Sequence, residues 1–198
     1  MAEIIPGELG DGTCYESWGD WDICRLGPHP TLQAGADNIR PTAYQTASFW
    51  IFRGFLYFDL THLALVVQTA ELRVYGKAKG SVDITAVVTV GTQSVPLVAH
   101  NYQAHAATAT VLGSIATPDV TLEAYNSIVL NPAGVALVQS KIGGILKLCL
   151  KDEDDNNDNP MFYSVNRNFQ FYSSEEAGKQ PLLVLKLNFP HSKAHLIG

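Results

Sequence analysis

Phe52-Arg53-Gly54-Phe55-Leu56-Tyr57-Phe58-Asp59-Leu60 is the stretch whose reading decides the fold. It is rich in aromatic residues and reads as a strand. Period-2 alternation puts Phe52, Leu56, Phe58 and Leu60 on one face, with Gly54 leaving space where another segment approaches closely. Phe55 and Tyr57 share the opposite face with Arg53 and Asp59. Arg53 is placed to pair with a carboxylate such as Asp59 or Glu71. These residues read first as packing and register devices, with a site role as the alternative.

Similar segments lie outward in both directions. Glu71-Leu72-Arg73-Val74-Tyr75 alternates and stops at Gly76, and residues 82–90 are mostly β-branched. Leu182-Leu183-Val184-Leu185-Lys186-Leu187 is almost continuously apolar, as a central strand is. Turn signals recur between them, among them Gly27-Pro28, Ala36-Asp37-Asn38 and Gly143-Gly144. Many short strands so punctuated predict an all-β sandwich or barrel. One segment differs: Asn131 is an N-cap candidate, Pro132 suits the first helical position, and Val135, Leu137 and Val138 can face inward before Gly143. It predicts one short helix, about 132–141, closing an end of the sandwich. No internal repeat is present. The expected organisation is one domain over 12–188, an N-terminal arm over 1–11 and a tail over 189–198.

The chain has 198 residues, enough for one domain without a disulfide or metal staple. Charged residues are only 16%, against about 25% in average globular proteins. Such a chain is either well buried or covers part of its surface with partner subunits. With 13 basic and 19 acidic residues, it lacks the clustered cations that nucleic-acid backbones require. No apolar run reaches the length of a membrane span. Acids in Met1-Ala2-Glu3-Ile4-Ile5-Pro6-Gly7-Glu8 stand where a signal peptide needs basic residues, so no encoded signal is expected.

The stretch 52–61, followed by Thr69-Ala70-Glu71-Leu72-Arg73-Val74-Tyr75-Gly76, resembles the signature of the DNRLRE (disaggregatase-related) domain family. The ending Phe171-Tyr172-Ser173-Ser174-Glu175-Glu176, then Gln180-Pro181-Leu182-Leu183-Val184-Leu185, is similar to that family's close. Tyr125-Asn126-Ser127-Ile128-Val129-Leu130-Asn131 and the opening strand Trp21-Asp22-Ile23-Cys24-Arg25 are similar to a phage and virion-type subgroup. The resemblance implies a jelly-roll β-sandwich of two antiparallel sheets used as a non-catalytic module. Some members look like carbohydrate-binding modules, and others sit in surface, adhesion or virion proteins. With no catalytic partner domain, the expected function is a structural subunit of a virion or extracellular surface assembly. The alternative is a glycan-binding attachment module.

Candidate sites follow from both readings. Tyr15, Trp18 and Trp21 cluster in sequence near a turn, and Trp50 precedes the signature strand. Exposed Trp and Tyr faces stack on sugar rings, while the alternative is a Trp pair closing the sandwich. Asp152, Asp154 and Asn156 follow the first alternating oxygen positions of a calcium loop. Asn157 stands where such a loop needs Gly and Tyr163 where it needs Glu, so the motif is not an EF-hand. A structural calcium and a plain solvated loop both remain open. Cys14 and Cys24 face each other if 14–24 is a hairpin, either bridged or as buried free thiols. Alternation puts Cys149 on the less buried face of its strand. Ile4, Ile5, Leu196 and Ile197 make the terminal arms apolar, suited to packing on a homo-oligomer neighbour or another surface protein. No nucleophile elbow, zinc-binding helix or phosphate loop occurs, and no two of Asp20, Asp22, Asp59, Glu71 and Glu123 are visibly paired for glycoside hydrolysis. The chain is therefore expected to be no enzyme. His191 and His195 have a metal-like spacing, but on a tail after Pro190.

Overall fold

A computed structural model describes residues 2–8, 11–34, 38–160 and 167–188. In chain order the elements begin with β1 (Ala2–Pro6), β2 (Gly12–Trp18), α1 (Trp21–Leu26), β3 (Thr31–Ala34), β4 (Thr42–Gln45) and β5 (Phe49–Asp59). Then come β6 (Val66–Lys79), β7 (Thr85–Val90), β8 (Gly113–Ala116), β9 (Tyr125–Val129) and α2 (Pro132–Ser140). The series ends with β10 (Ile145–Asp152), α3 (Glu153–Asn157), β11 (Phe169–Phe171) and β12 (Leu182–Asn188). A 3-10 turn over Ala99–His105 precedes β8.

Two antiparallel sheets result. The five-stranded sheet runs β1-β12-β6-β11, with β9 also on β6. The seven-stranded sheet runs β3-β2-β5-β10-β7-β8, with β4 also on β5. The protein is therefore an all-β sandwich. From β5 onward the chain passes repeatedly from one sheet to the other, the winding expected of a jelly roll. Leu56, Phe58 and Leu60 of β5 and its end meet Leu72 and Val74 of β6, Leu148 and Leu150 of β10, and Leu183 and Leu185 of β12. Each such side chain contributes about 1.5–3 kcal/mol by leaving water. Gly54 does leave room: a Cβ there would lie 2.3 Å from Ile39 Cγ2. Ile39 bridges across to Phe171, so this crossing segment plugs one end of the sandwich.

α2 forms as its sequence predicts. The Asn131 side chain accepts from Gly134 N, Pro132 opens the helix, and Val138 is buried in the core. Gly143 lies in the left-handed region with φ 81°.

Four expectations need correction. Residues 2–6 are no free arm: they add β1 to the edge of the five-stranded sheet, with Ile5 in the core and Ile4 outside. Residues 21–26 form α1 where the family resemblance implied a strand, because Asp20 caps Ile23 N and Gly27 ends the turn at φ 62°. With no hairpin there, Cys14 and Cys24 are free and buried. Cys149 is fully buried too, because the outer face of the seven-stranded sheet is itself covered. The fourth concerns Arg53, described below.

The cover consists of α1, the turn over Ala99–His105, and α3. Beneath it lie Cys14, Phe49, Ile51, Phe55, Tyr57 and Cys149 from the sheet, packed with Trp21, Cys24 and Tyr102. At its centre, Arg53 pairs with Asp155 of α3 and with neither Asp59 nor Glu71. The contact is two-pronged: Nε donates to Oδ2 at 2.8 Å and Nη2 to Oδ1 at 2.7 Å. Nη1 donates to Tyr102 O at 2.7 Å, Nη2 to Arg25 O at 3.1 Å, and the Tyr102 ring lies 4.0 Å from the guanidinium. Burial weakens the charged form of Arg53, but the Asp155 carboxylate outweighs it and raises the pKa. Arg25 joins the cluster by a 2.9 Å contact to Asp158. All of this is closed to solvent at Arg53 and Asp155, so the pair fastens cover to sheet.

Candidate interaction surfaces

The even-numbered face of β5 is interior at Leu56 and Phe58, but beyond Gly54 it runs out of the sandwich. There Tyr15 is paired across to Phe52, and Tyr44 to Trp50. The ring centroids of Tyr15 lie 5.1 Å from Phe52 and 6.1 Å from Trp50, while Trp50 and Phe52 lie 6.3 Å apart. Tyr44 is 6.3 Å from Trp50 and 6.0 Å from Phe52. Neighbouring planes are nearly parallel, at 12° to 25°. Three mutually close, parallel rings cannot form a single column, so the four make a two-dimensional array across β2, β5 and β4. Cross-strand spacing in a sheet is about 4.8 Å, which suits rings standing on the sheet and stacking across strands. Phe52 is buried beneath, and Tyr15, Tyr44 and Trp50 are half-buried. The Arg40 guanidinium lies over Phe52 at 3.9 Å. Burial lowers the Arg40 pKa from its ordinary value.

The four aromatic candidates therefore divide. Tyr15 and Trp50 share this platform. Trp18 lies on the opposite face of β2, 40% exposed, with its ring 6.2 Å from His29. Trp21 is buried edge-on to Phe49, and its Nε1 donates to Asp158 Oδ1 at 3.1 Å. Alternation along β2 already separates Tyr15 from Trp18. Tyr44 and Arg40 complete the array, and no sequence motif singled them out.

The acidic run is no solvated loop. Asp152 is buried, accepts from Ala43 N at 3.1 Å, and takes Arg167 Nη2 at 3.0 Å on both oxygens. Asp154 takes the same nitrogen at 2.6 Å. Asn156 turns elsewhere, accepting from Ala109 N at 3.1 Å and from Lys151 Nζ at 3.3 Å. The three oxygens proposed for calcium are thus divided between two sets of partners. Among the described residues, no group of His, Cys, Asp or Glu is arranged to hold a metal ion. Burial pushes Asp152 up to about 6, against the pull of Arg167. The carboxylates weighed for hydrolysis are dispersed: Asp20 caps α1, Asp59 accepts from Thr61 N, Glu71 pairs with Arg73, and Glu123 with Lys179.

The outer face of the five-stranded sheet has no helical cover among the described residues. Paired residues run across it in rows. Ile4, Val184, Glu71 and Val129 form one row, and Pro6, Leu182, Arg73 and Ser127 the next. Ile4 is 57% exposed and Val129 70%. Glu71 and Arg73 neutralise each other at 2.7 Å, and Ser127 donates to Glu71. Hydrogen bonding to Arg73 holds the Glu71 carboxyl below its usual range. Beyond these rows, Tyr75 meets Tyr125 and Tyr172 edge-on, with Lys179 4.1 Å over Tyr172. β1 pairs with β12 alone among the described residues, leaving its other edge open. Leu196 and Ile197 lie outside the described residues, as do His191 and His195. No described helix is long and apolar enough to cross a membrane.

Compared with known protein families and with curated proteins, the sequence finds no match.

Proposed function

We propose that the chain is a non-catalytic structural module of a virion or extracellular surface assembly, as its resemblance to the virion-type DNRLRE domains implies. The carrying observation is β1, whose outer edge pairs with no described strand, beside exposed Ile4. An unpaired row of backbone N–H and C=O groups is a template for another strand. The rest of that face supports the same use, since its central charges are already paired and its flanks are apolar. Much of the outer face of the opposite sheet lies beneath α1, the Ala99–His105 turn and α3, and beyond that cover it presents the aromatic array. Light scattering tests the reading: the wild type should be a large oligomer at micromolar concentration, and Ile4→Asp should shift it toward monomer. A monomeric wild type defeats it.

A second reading, attachment to a polysaccharide, is favoured by the half-buried rings of Tyr15, Tyr44 and Trp50 beside Arg40. Aromatic rims and outer faces suit the apolar faces of sugars. Wild type retarded in native gels cast with a polysaccharide, and released by Trp50→Ala, is the expected result. Equal mobility across a broad set of polysaccharides would remove this reading.

A further inference from the structure

We propose that Asp11 is a proton-operated latch on the connection from β1 to β2: its neutral carboxyl keeps β1 seated, and its ionised form loosens it. Between these strands the chain passes from the five-stranded sheet to the seven-stranded one. Gly7 N donates to Pro181 O at 2.7 Å, Glu8 N to Tyr57 O at 2.9 Å, and Ser174 Oγ to Glu8 O at 2.6 Å. Asp11 adds a further tie, its Oδ1 accepting from Tyr57 N at 2.8 Å. Tyr57 thus gives both its backbone groups to this connection.

The other oxygen makes this tie depend on a proton. Asp11 is buried, and its Oδ2 has no hydrogen-bond partner. Gly7 crowds that oxygen, since a Cβ there would lie 2.9 Å from it. A buried charge without partners is costly, whereas the neutral acid is tolerated. The facing groups supply no positive charge. Glu8 on the connection and Glu175 beyond β11 are carboxylates, and the Tyr57 hydroxyl is tied to Ser94 O at 2.6 Å. Burial, reinforced by these carboxylates, holds Asp11 well above the usual carboxylate range, against the pull of Tyr57 N. An unfolded Asp titrates near about pH 3.9, so the stability this site contributes is full below that and lost as the pH rises through the raised folded value. An ionised Asp11 regains water when the connection lifts, and β1 lifts with it. All these contacts lie within one chain, so the latch does not rest on the assembly reading.

Hydrogen exchange of the β1 amides in the full chain provides the test, followed with rising pH and corrected for the base-catalysed rate of an unstructured peptide. Loss of one proton on opening lowers β1 protection about tenfold per pH unit once Asp11 ionises, while β5 keeps its protection. Asp11→Asn retains an oxygen for Tyr57 N and cannot ionise, so its β1 should stay protected throughout. The contact of His62 with Glu3 of β1, at 3.9 Å, is common to both proteins and drops out of the difference. If Asp11→Asn does not fold, Glu8→Gln at low ionic strength replaces it: with one negative neighbour fewer, Asp11 ionises sooner and β1 should loosen at lower pH. Wild-type protection that does not change with pH overturns the proposal. So does an equal loss in Asp11→Asn, or an onset in Glu8→Gln that stays in place or moves to higher pH.

Discussion

Removing the carboxylate of Asp155 should be among the most damaging single changes to this fold. Asp155→Ala leaves Arg53 fully buried with its bonds to Tyr102 O and Arg25 O but without either prong of the carboxylate contact. A buried ion left without its partner costs about 3–5 kcal/mol. For a domain of this size each kcal/mol moves the thermal midpoint by about 2–4 °C, so the expected fall is about 6–20 °C. Calorimetry at pH 7 reads it directly. Arg73→Ala is the control: its pair with Glu71 is 39% and 25% exposed. An exposed pair is worth no more than about 1 kcal/mol, so that midpoint should barely move. Arg53→Met/Asp155→Leu leaves no stranded charge and should recover much of the loss. High salt should not narrow the gap between Asp155→Ala and wild type, because ions do not reach a closed pair. A fall of under about 3 °C in Asp155→Ala would refute the argument, since the pair would then carry less than an exposed one.

Gly54→Ala should cost about 1–3 kcal/mol by overpacking against Ile39, with partial recovery in Gly54→Ala/Ile39→Ala, read by urea denaturation. His105 should make stability fall on the acid side. Its Nδ1–H donates to Asn101 O at 2.8 Å and its Nε2 accepts from Thr92 N at 3.0 Å, so the folded chain holds it neutral, and burial lowers its pKa. The unfolded chain then binds the proton first: this contribution is full above about pH 6.5 and lost as the pH falls below it. Asp152, pushed up to about 6, acts in the opposite sense, so the measurement is the difference between wild type and His105→Asn at pH 7.5 and 5.5. A difference that does not change between the two pH values would contradict the assignment. Burial pushes Cys14, Cys24 and Cys149 up to about 12, so iodoacetamide at pH 8 should label them only after unfolding, as mass spectrometry would show.

The fold was legible because its strands alternate and its turns are marked by Gly, Pro and Asn. The helix at 132–140 was legible because its cap and its Pro are local signals. The sites were less legible, since they depend on long-range pairing. Asp155 lies 102 residues from Arg53, and no spacing rule connects them. The acidic run looked like a solvated loop because composition does not show that Arg167, Lys151 and the Ala109 backbone close around it. Cys149 was misplaced for a related reason. Alternation distinguishes two faces but not whether the outer one is covered, and here β10 is buried on both sides.

The Arg53-Gly54 dipeptide shows how two neighbouring residues fix two parts of the fold. Adjacent residues of a strand point to opposite faces, so the pair serves two layers at once. Arg53 holds the helical cover through Asp155, and Gly54 admits Ile39 and the crossing segment that ends the sandwich. Neither residue reaches solvent, so neither can meet a ligand. Two described surfaces lie apart from this pair: the aromatic array beyond Gly54, and the outer face of the far sheet, where β1 pairs with β12 alone among the described residues. Those surfaces can vary while Arg53 and Gly54 stay in place, because their packing constrains the sandwich and its cover and nothing beyond them.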